Sequence, residues 1–99
     1  MEIQVSKPAL QWFKKEFDLK GEGEYVRFFA RYGGCGAVQS SFSLGVNLDK
    51  PVTIGAKEEV EGIIFFIEDK DIWYFDGHDL RVKYSRKHEE IQYEYEKSE

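Results

Sequence analysis

Thiols are almost missing from this 99-residue chain, in which Cys35 is the one cysteine. An internal disulfide is therefore excluded, and since small secreted domains usually carry several, a reducing cytosol is the expected compartment. A zinc site of ordinary spacing is excluded as well, because such sites draw on closely spaced pairs of ligands. Prolines, two in number, and the nine glycines are too scattered to make a linker or a low-complexity tract. No apolar run is long enough to span a membrane. Met1 to Val5 carries Glu2 and has neither the basic start nor the apolar stretch of a signal peptide. Positive charge is also short: 14 Lys and Arg against 19 Asp and Glu leave a net charge of -5. That is the wrong sign for nucleic acid or an anionic membrane surface. Arg81, Lys83, Arg86 and Lys87 cluster locally, but Glu89, Glu90, Glu94 and Glu96 follow, so this reads as a solvated face of mixed sign.

Aromatic residues are plentiful, at eight Phe, six Tyr and two Trp. A few large side chains can thus supply most of the burial in one domain spanning 1–99. Met1 to Val5 alternates like a short strand. Ser6 followed by Pro8 marks a helix start, and Leu10, Phe13 and Phe17, flanked by Ala9 and Trp12, share its apolar face. This helix is expected to stop near Leu19, before Gly21 and Gly23. Val26, Phe28, Ala30 and Tyr32 then alternate with Arg27 and Arg31 as a half-buried strand, which Gly33, Gly34 and Gly36 are expected to break. Alternation resumes through Val38, Phe42, Leu44 and Val46, suggesting two antiparallel strands joined around Cys35. Val52 to Ala56 suits a short strand, and the unbroken run Ile63 to Ile67 suits the most buried one. Glu68 to Phe75 fits one helical turn docked on the core or a strand edge. Asp76-Gly77 marks a tight turn, after which Leu80, Val82 and Tyr84, then Ile91, Tyr93 and Tyr95, alternate as two further strands. The sum is a mainly β fold, a β-sandwich or partly open barrel with one N-terminal amphipathic helix capping an end.

Tyr32-Gly33-Gly34-Cys35-Gly36-Ala37 is where local propensity is weakest, with three glycines in four positions. One reading is a tight loop exposing the Cys35 thiol to a metal, a cluster or a partner's backbone. The other is a hairpin turn with a small buried hydrophobe at its base. A phosphate loop is excluded, since no Gly-Lys-Ser/Thr follows. Cys35 with His78 or His88 as nucleophile and base is a weak signal without an orienting third group. His78 within Asp76-Gly77-His78-Asp79 reads as a charged turn in preference to a metal site, and Glu68-Asp69-Lys70-Asp71 lacks the glycine and later glutamate of a calcium loop.

The order of strand, Gly-Gly-Cys-Gly loop, serine-rich strand and Phe-Asp-Gly-His-Asp-Leu turn resembles the HesB-like family of A-type iron–sulfur carriers. The resemblance runs from the N-terminal strand to about Tyr84 and implies a compact HesB-like domain in which Cys35, flanked by Gly33, Gly34 and Gly36, is the metal ligand. The family's C-terminal Cys-x-Cys is missing here, and Ile91, Tyr93 and Tyr95 suggest an added edge strand in its place. One thiolate cannot saturate iron, so any labile iron or iron–sulfur cluster would be shared with a second copy in a homodimer or with a client or scaffold protein. The resemblance therefore implies a non-catalytic accessory protein of iron–sulfur cluster assembly or delivery, binding iron or cluster only transiently. The alternative is a metal-free protein-interaction module using an aromatic surface or a sheet edge, with Tyr93 and Tyr95 as contact candidates.

Overall fold

The structure, a computed structural model, describes residues 1–35 and 40–97, with backbone alone for Gly34, Cys35 and Ser40. Seven strands dominate it: β1 (Ile3–Val5), β2 (Glu24–Cys35), β3 (Ser40–Asn47), β4 (Ile54–Val60), β5 (Ile63–Glu68), β6 (His78–Ser85) and β7 (Glu90–Lys97). Helix α1 (Lys7–Glu16) follows β1, and a short 3-10 helix (Asp69–Phe75) follows β5. No helix is long and apolar enough to cross a membrane, among the described residues.

Two mixed sheets result, in the orders β1-β6-β7 and β3-β2-β5-β4. Antiparallel pairing of β2 with β3 follows the hairpin expected around Cys35, and β6 also pairs antiparallel with β7. The two parallel pairs, β1 with β6 and β2 with β5, were not legible, because alternation reveals which face a residue occupies and not which strand lies beside it. The mainly β expectation holds at this level, and β7 is the edge strand anticipated from Ile91, Tyr93 and Tyr95.

Helix α1 begins as its sequence dictates. Ser6 sits in the extended region, its hydroxyl accepts the Ala9 amide at 3.3 Å, and Pro8 occupies the first turn. The end comes earlier than Leu19. Phe17 is the C-cap, Asp18 turns left-handed at φ 52°, and the Leu19 amide donates back to Lys14 at 2.9 Å. That closure buries Leu19 beside the core, so its apolar side chain belongs to the cap and not to the helix.

Ala9, Leu10 and Phe13 turn inward from α1 to meet Ile3 and, from the two sheets, Val26, Phe28, Ile63, Phe65, Ile67, Leu80 and Val82. Phe13 lies 5.3 Å from Phe65 and 6.0 Å from Phe28, edge to face in both cases. Phe28 in turn meets Tyr93 of the facing sheet at 5.9 Å. Burial pushes the Tyr93 phenol up to about 12 and raises that of Tyr95, so both rings act as neutral packing groups. Gly62 permits one close approach: a Cβ there would lie 2.0 Å from the Gly21 carbonyl oxygen, and its φ of 79° suits glycine.

Glu68 ends β5 with its carboxylate nearly buried, accepting the Val52 and Thr53 amides at 2.9–3.2 Å. These bonds, aided by the positive field of Arg27 and Lys70, hold its carboxyl below the usual range. A lowered folded-state value means stability that is complete above the ordinary carboxylate value and lost as pH falls through the lowered one. Urea unfolding of Glu68→Gln should therefore show a deficit against wild type at neutral pH that closes in acid. In the same assay Phe13→Ala should cost about 3–5 kcal/mol at neutral pH, as truncation of a fully buried ring does; a loss under about 1 kcal/mol would remove Phe13 from the core.

Candidate protein-interaction site

Strand β2 is longer than the sequence suggested. It runs through Gly33 and Gly34 to Cys35, and a bulge between Tyr32 and Cys35 takes up the irregularity that the glycines introduce. Gly33 adopts φ 109°, which only glycine accepts readily, and Ser41 across the hairpin sits in the left-handed region at φ 69°. Val38, Gly36 and Ala37 lie outside the described residues, as does any statement about the Cys35 thiol.

Beside β5, β2 is paired only from Glu24 to Phe28, whereas its pairing with β3 continues from Arg27 to Cys35. The hairpin thus extends past the four-stranded sheet as a two-stranded arm. Tyr32 shares the face of Val26 and Phe28 but lies beyond the core, 81% exposed. Its ring meets Phe42, its register partner on β3, at 5.5 Å, and Phe42 meets Trp73 of the 3-10 helix at 5.0 Å. Trp73 is half exposed and reaches the fully buried Tyr74 at 6.2 Å. An aromatic strip therefore climbs from the core to the arm. Tyr and Trp with a rooted base and an exposed tip are the side chains that dominate protein contacts.

The 3-10 helix holds Trp73 in place. Asp71, 8% exposed, accepts from the Arg27 guanidinium at 2.8 Å, and Asp49 flanks the same guanidinium at 3.6 Å. Arg27 also lies over the Phe29 ring, 5.3 Å from its centroid. Tyr74 and Phe75 are buried and anchor the far side of the turn. Sequence reasoning placed the run Ile72 to Phe75 on the core and missed that Trp73 projects outward.

Other candidates take structural places. His78 Nδ1 donates to the Phe75 carbonyl at 2.8 Å and closes the Asp76-Gly77 turn. Asp79 accepts the Glu2 amide at 2.7 Å, and the His88 amide donates to the Ser85 hydroxyl at 3.2 Å. No group of three or more His, Cys, Asp or Glu side chains is arranged to hold a metal among the described residues. Tyr93 and Tyr95, the contact candidates on β7, are half-buried and pack against the core. Arg81 pairs with Glu96 at 3.0 Å and Lys83 with Glu94 at 3.1 Å, the mixed-sign face anticipated there.

Fold and surface define a small mainly β protein that presents a rooted aromatic arm. The chain is 51% identical over 96 residues, 97% of its length and the whole of the other, to a Bacillus subtilis protein named pyruvate dehydrogenase inhibitor. It is 37% identical over 95 residues to an uncharacterised protein of Staphylococcus saprophyticus, covering 94% and 97% of the two chains. An uncharacterised Staphylococcus aureus protein is 30% identical over a similar span, 94% and 97% of the two chains. The chain belongs to the family of these proteins. No family model matches it, and no solved structure does.

These findings correct the iron–sulfur reading. The full-length relative at 51% identity is named for inhibition of an enzyme, and nothing supports a HesB-like carrier, an A-type scaffold or a role in cluster biogenesis. The Gly-Gly-Cys signal misled because three glycines around a cysteine are also what a bulged hairpin uses, as Gly33 does here. The non-catalytic expectation stands, since that relative bears the name of an inhibitor and not of an enzyme. If the strip is surplus to the fold, Tyr32→Ala should move the urea-unfolding free energy by less than about 0.5 kcal/mol. A loss above about 2 kcal/mol would show the ring to be part of the core instead.

Proposed function

We propose that this chain is a protein inhibitor of pyruvate dehydrogenase, working as one domain in the cytoplasm and docking the aromatic strip of its β2–β3 arm on a subunit of that enzyme. The observation that carries the reading is full-length identity of 51% to the Bacillus subtilis inhibitor. The arm supports it physically. Burying Tyr32 and the exposed part of Trp73 against a partner removes apolar surface from water, and neither ring needs ordering, because Phe42 and Tyr74 already hold their bases. A single chain exposes the strip, so a homodimer is not required. Gly33, Gly34 and Cys35 enter this reading as backbone of the arm, shaping it through the bulge, with no role for the thiol.

The test is inhibition of the Bacillus subtilis pyruvate dehydrogenase complex by the purified chain. Wild type should inhibit saturably. Tyr32→Ala and Trp73→Ala should each raise the half-inhibitory concentration by about tenfold or more, equivalent to ~1.4 kcal/mol or more of contact energy. Cys35→Ser should inhibit as wild type does. Absence of inhibition at excess inhibitor would sink the proposal, and sensitivity to Cys35→Ser alone would move the contact from the rings to the thiol.

A further inference from the structure

A second surface, unused by the docking reading, lies between α1 and the turn that joins β6 to β7. It is an open groove of about 780 Å³, within the range of small-molecule sites. Trp12 and Tyr84, both half-buried and packed against the core, line it with aromatic surface. Trp12 is braced edge to face by Phe13 at 5.0 Å and by Phe17 at 6.2 Å, so its indole is fixed before any ligand arrives. Three cations share the lining: Lys7 and Lys15 from the helix and Arg86 from the turn. Lys7 and Lys15 are eight residues apart on one helical face, which spaces their Cα atoms by about 12 Å along the axis.

Cations of the described surface fall into a paired and an unpaired set, and Arg31, Lys50, Lys57, Lys70, Lys87 and Lys97 belong to the second along with those of the groove. Lys14, Lys20, Arg27, Arg81 and Lys83 each have a carboxylate within 4 Å. Lys7, Lys15 and Arg86 have none among the described residues, although Glu16 and Glu89 line the same groove. With Glu16 and Glu89 set against them, the three cations leave the lining one positive charge in excess, beside an aromatic floor, in a chain of net charge -5.

We propose that this groove binds a nucleotide, its base stacked on Trp12 and Tyr84 and its phosphates held by Lys7, Lys15 and Arg86. An aromatic floor alone would accept any flat apolar molecule, and the cations alone any phosphate. The two together, spread over the length of two helical turns, select a molecule that carries both ends. The groove lies apart from the strip of Tyr32, Phe42 and Trp73, so ligand binding here stands or falls independently of the docking reading.

The test uses Trp73→Phe protein, in which Trp12 is the remaining indole. ADP, adenosine and inorganic diphosphate are titrated separately and read by Trp12 fluorescence, with calorimetry on the wild-type chain in parallel. ADP should quench Trp12 saturably and bind more tightly than either fragment, with affinity falling as salt rises. Replacing two of the three cations in Lys15→Gln/Arg86→Gln should weaken ADP about tenfold or more while leaving adenosine unchanged. Both positions are exposed at the groove rim, and circular dichroism is to be recorded as the check that the variant folds. No saturable ADP binding in either assay, equal affinity for ADP and diphosphate, or unaltered ADP binding by the double variant would each overturn the proposal.

Discussion

The ring of Phe28 is where the parts of this molecule meet. Helix α1 reaches it through Phe13, its own sheet through Phe65 at 6.0 Å, and the facing sheet through Tyr93. No strand pairs between the three-stranded and the four-stranded sheet. Their cohesion is therefore apolar contact and not backbone hydrogen bonding, and large rings contribute the most area per residue to it. The same strand carries Tyr32 four residues further on. One face of β2 thus passes from fully buried to almost fully exposed within about 13 Å of extended chain, and this places an aromatic arm on a rigid base.

Edges of the sheets differ in how they are protected. Strand β4 carries Lys57, Glu58 and Glu59, and β7 carries Glu90, Glu94, Glu96 and Lys97. Such charges discourage a second chain from pairing alongside. Strand β3 has no charged residue in its eight positions. The arm is consequently aromatic on one face and uncharged along its outer strand, and the chain's acidic residues lie elsewhere. A protein of net negative charge would otherwise repel an acidic partner at every approach. On the arm that repulsion is least concentrated.

Much of the fold was legible because single residues have single physical uses. Ser6 and Pro8 announce the helix, Asp76-Gly77 the turn, and the run Ile63 to Ile67 a strand buried on both faces, as it is. What failed had equally specific causes. Phe17 and Leu19 continue an apolar period past the helix end, but one left-handed residue, Asp18, redirects them into a cap. Gly33 and Gly34 read as a break, yet a bulge lets a strand absorb them. The candidate site was legible only in outline. The sequence allows an aromatic surface but marks Cys35, Tyr93 and Tyr95 more plainly than Tyr32, because exposure depends on where the sheet stops and alternation does not record that. Tyr32 has the same pattern as Phe28 and a different fate, since β5 accompanies one and not the other.

The parallel pairing of β1 with β6 sets a schedule for the chain as it leaves the ribosome. Ile3, Gln4 and Val5 pair with Leu80, Arg81 and Val82, 77 residues further along the chain. Until those partners are made the first strand has no neighbour, and the inward side of α1, with Leu10 and Phe13, has one sheet to rest on in place of two. Closure of this pair must wait until β6 has been synthesised. Loop closure between such distant partners is slow. Until β6 and β7 are in place the apolar side of α1 stays partly uncovered, and a truncation that removes those two strands leaves it so.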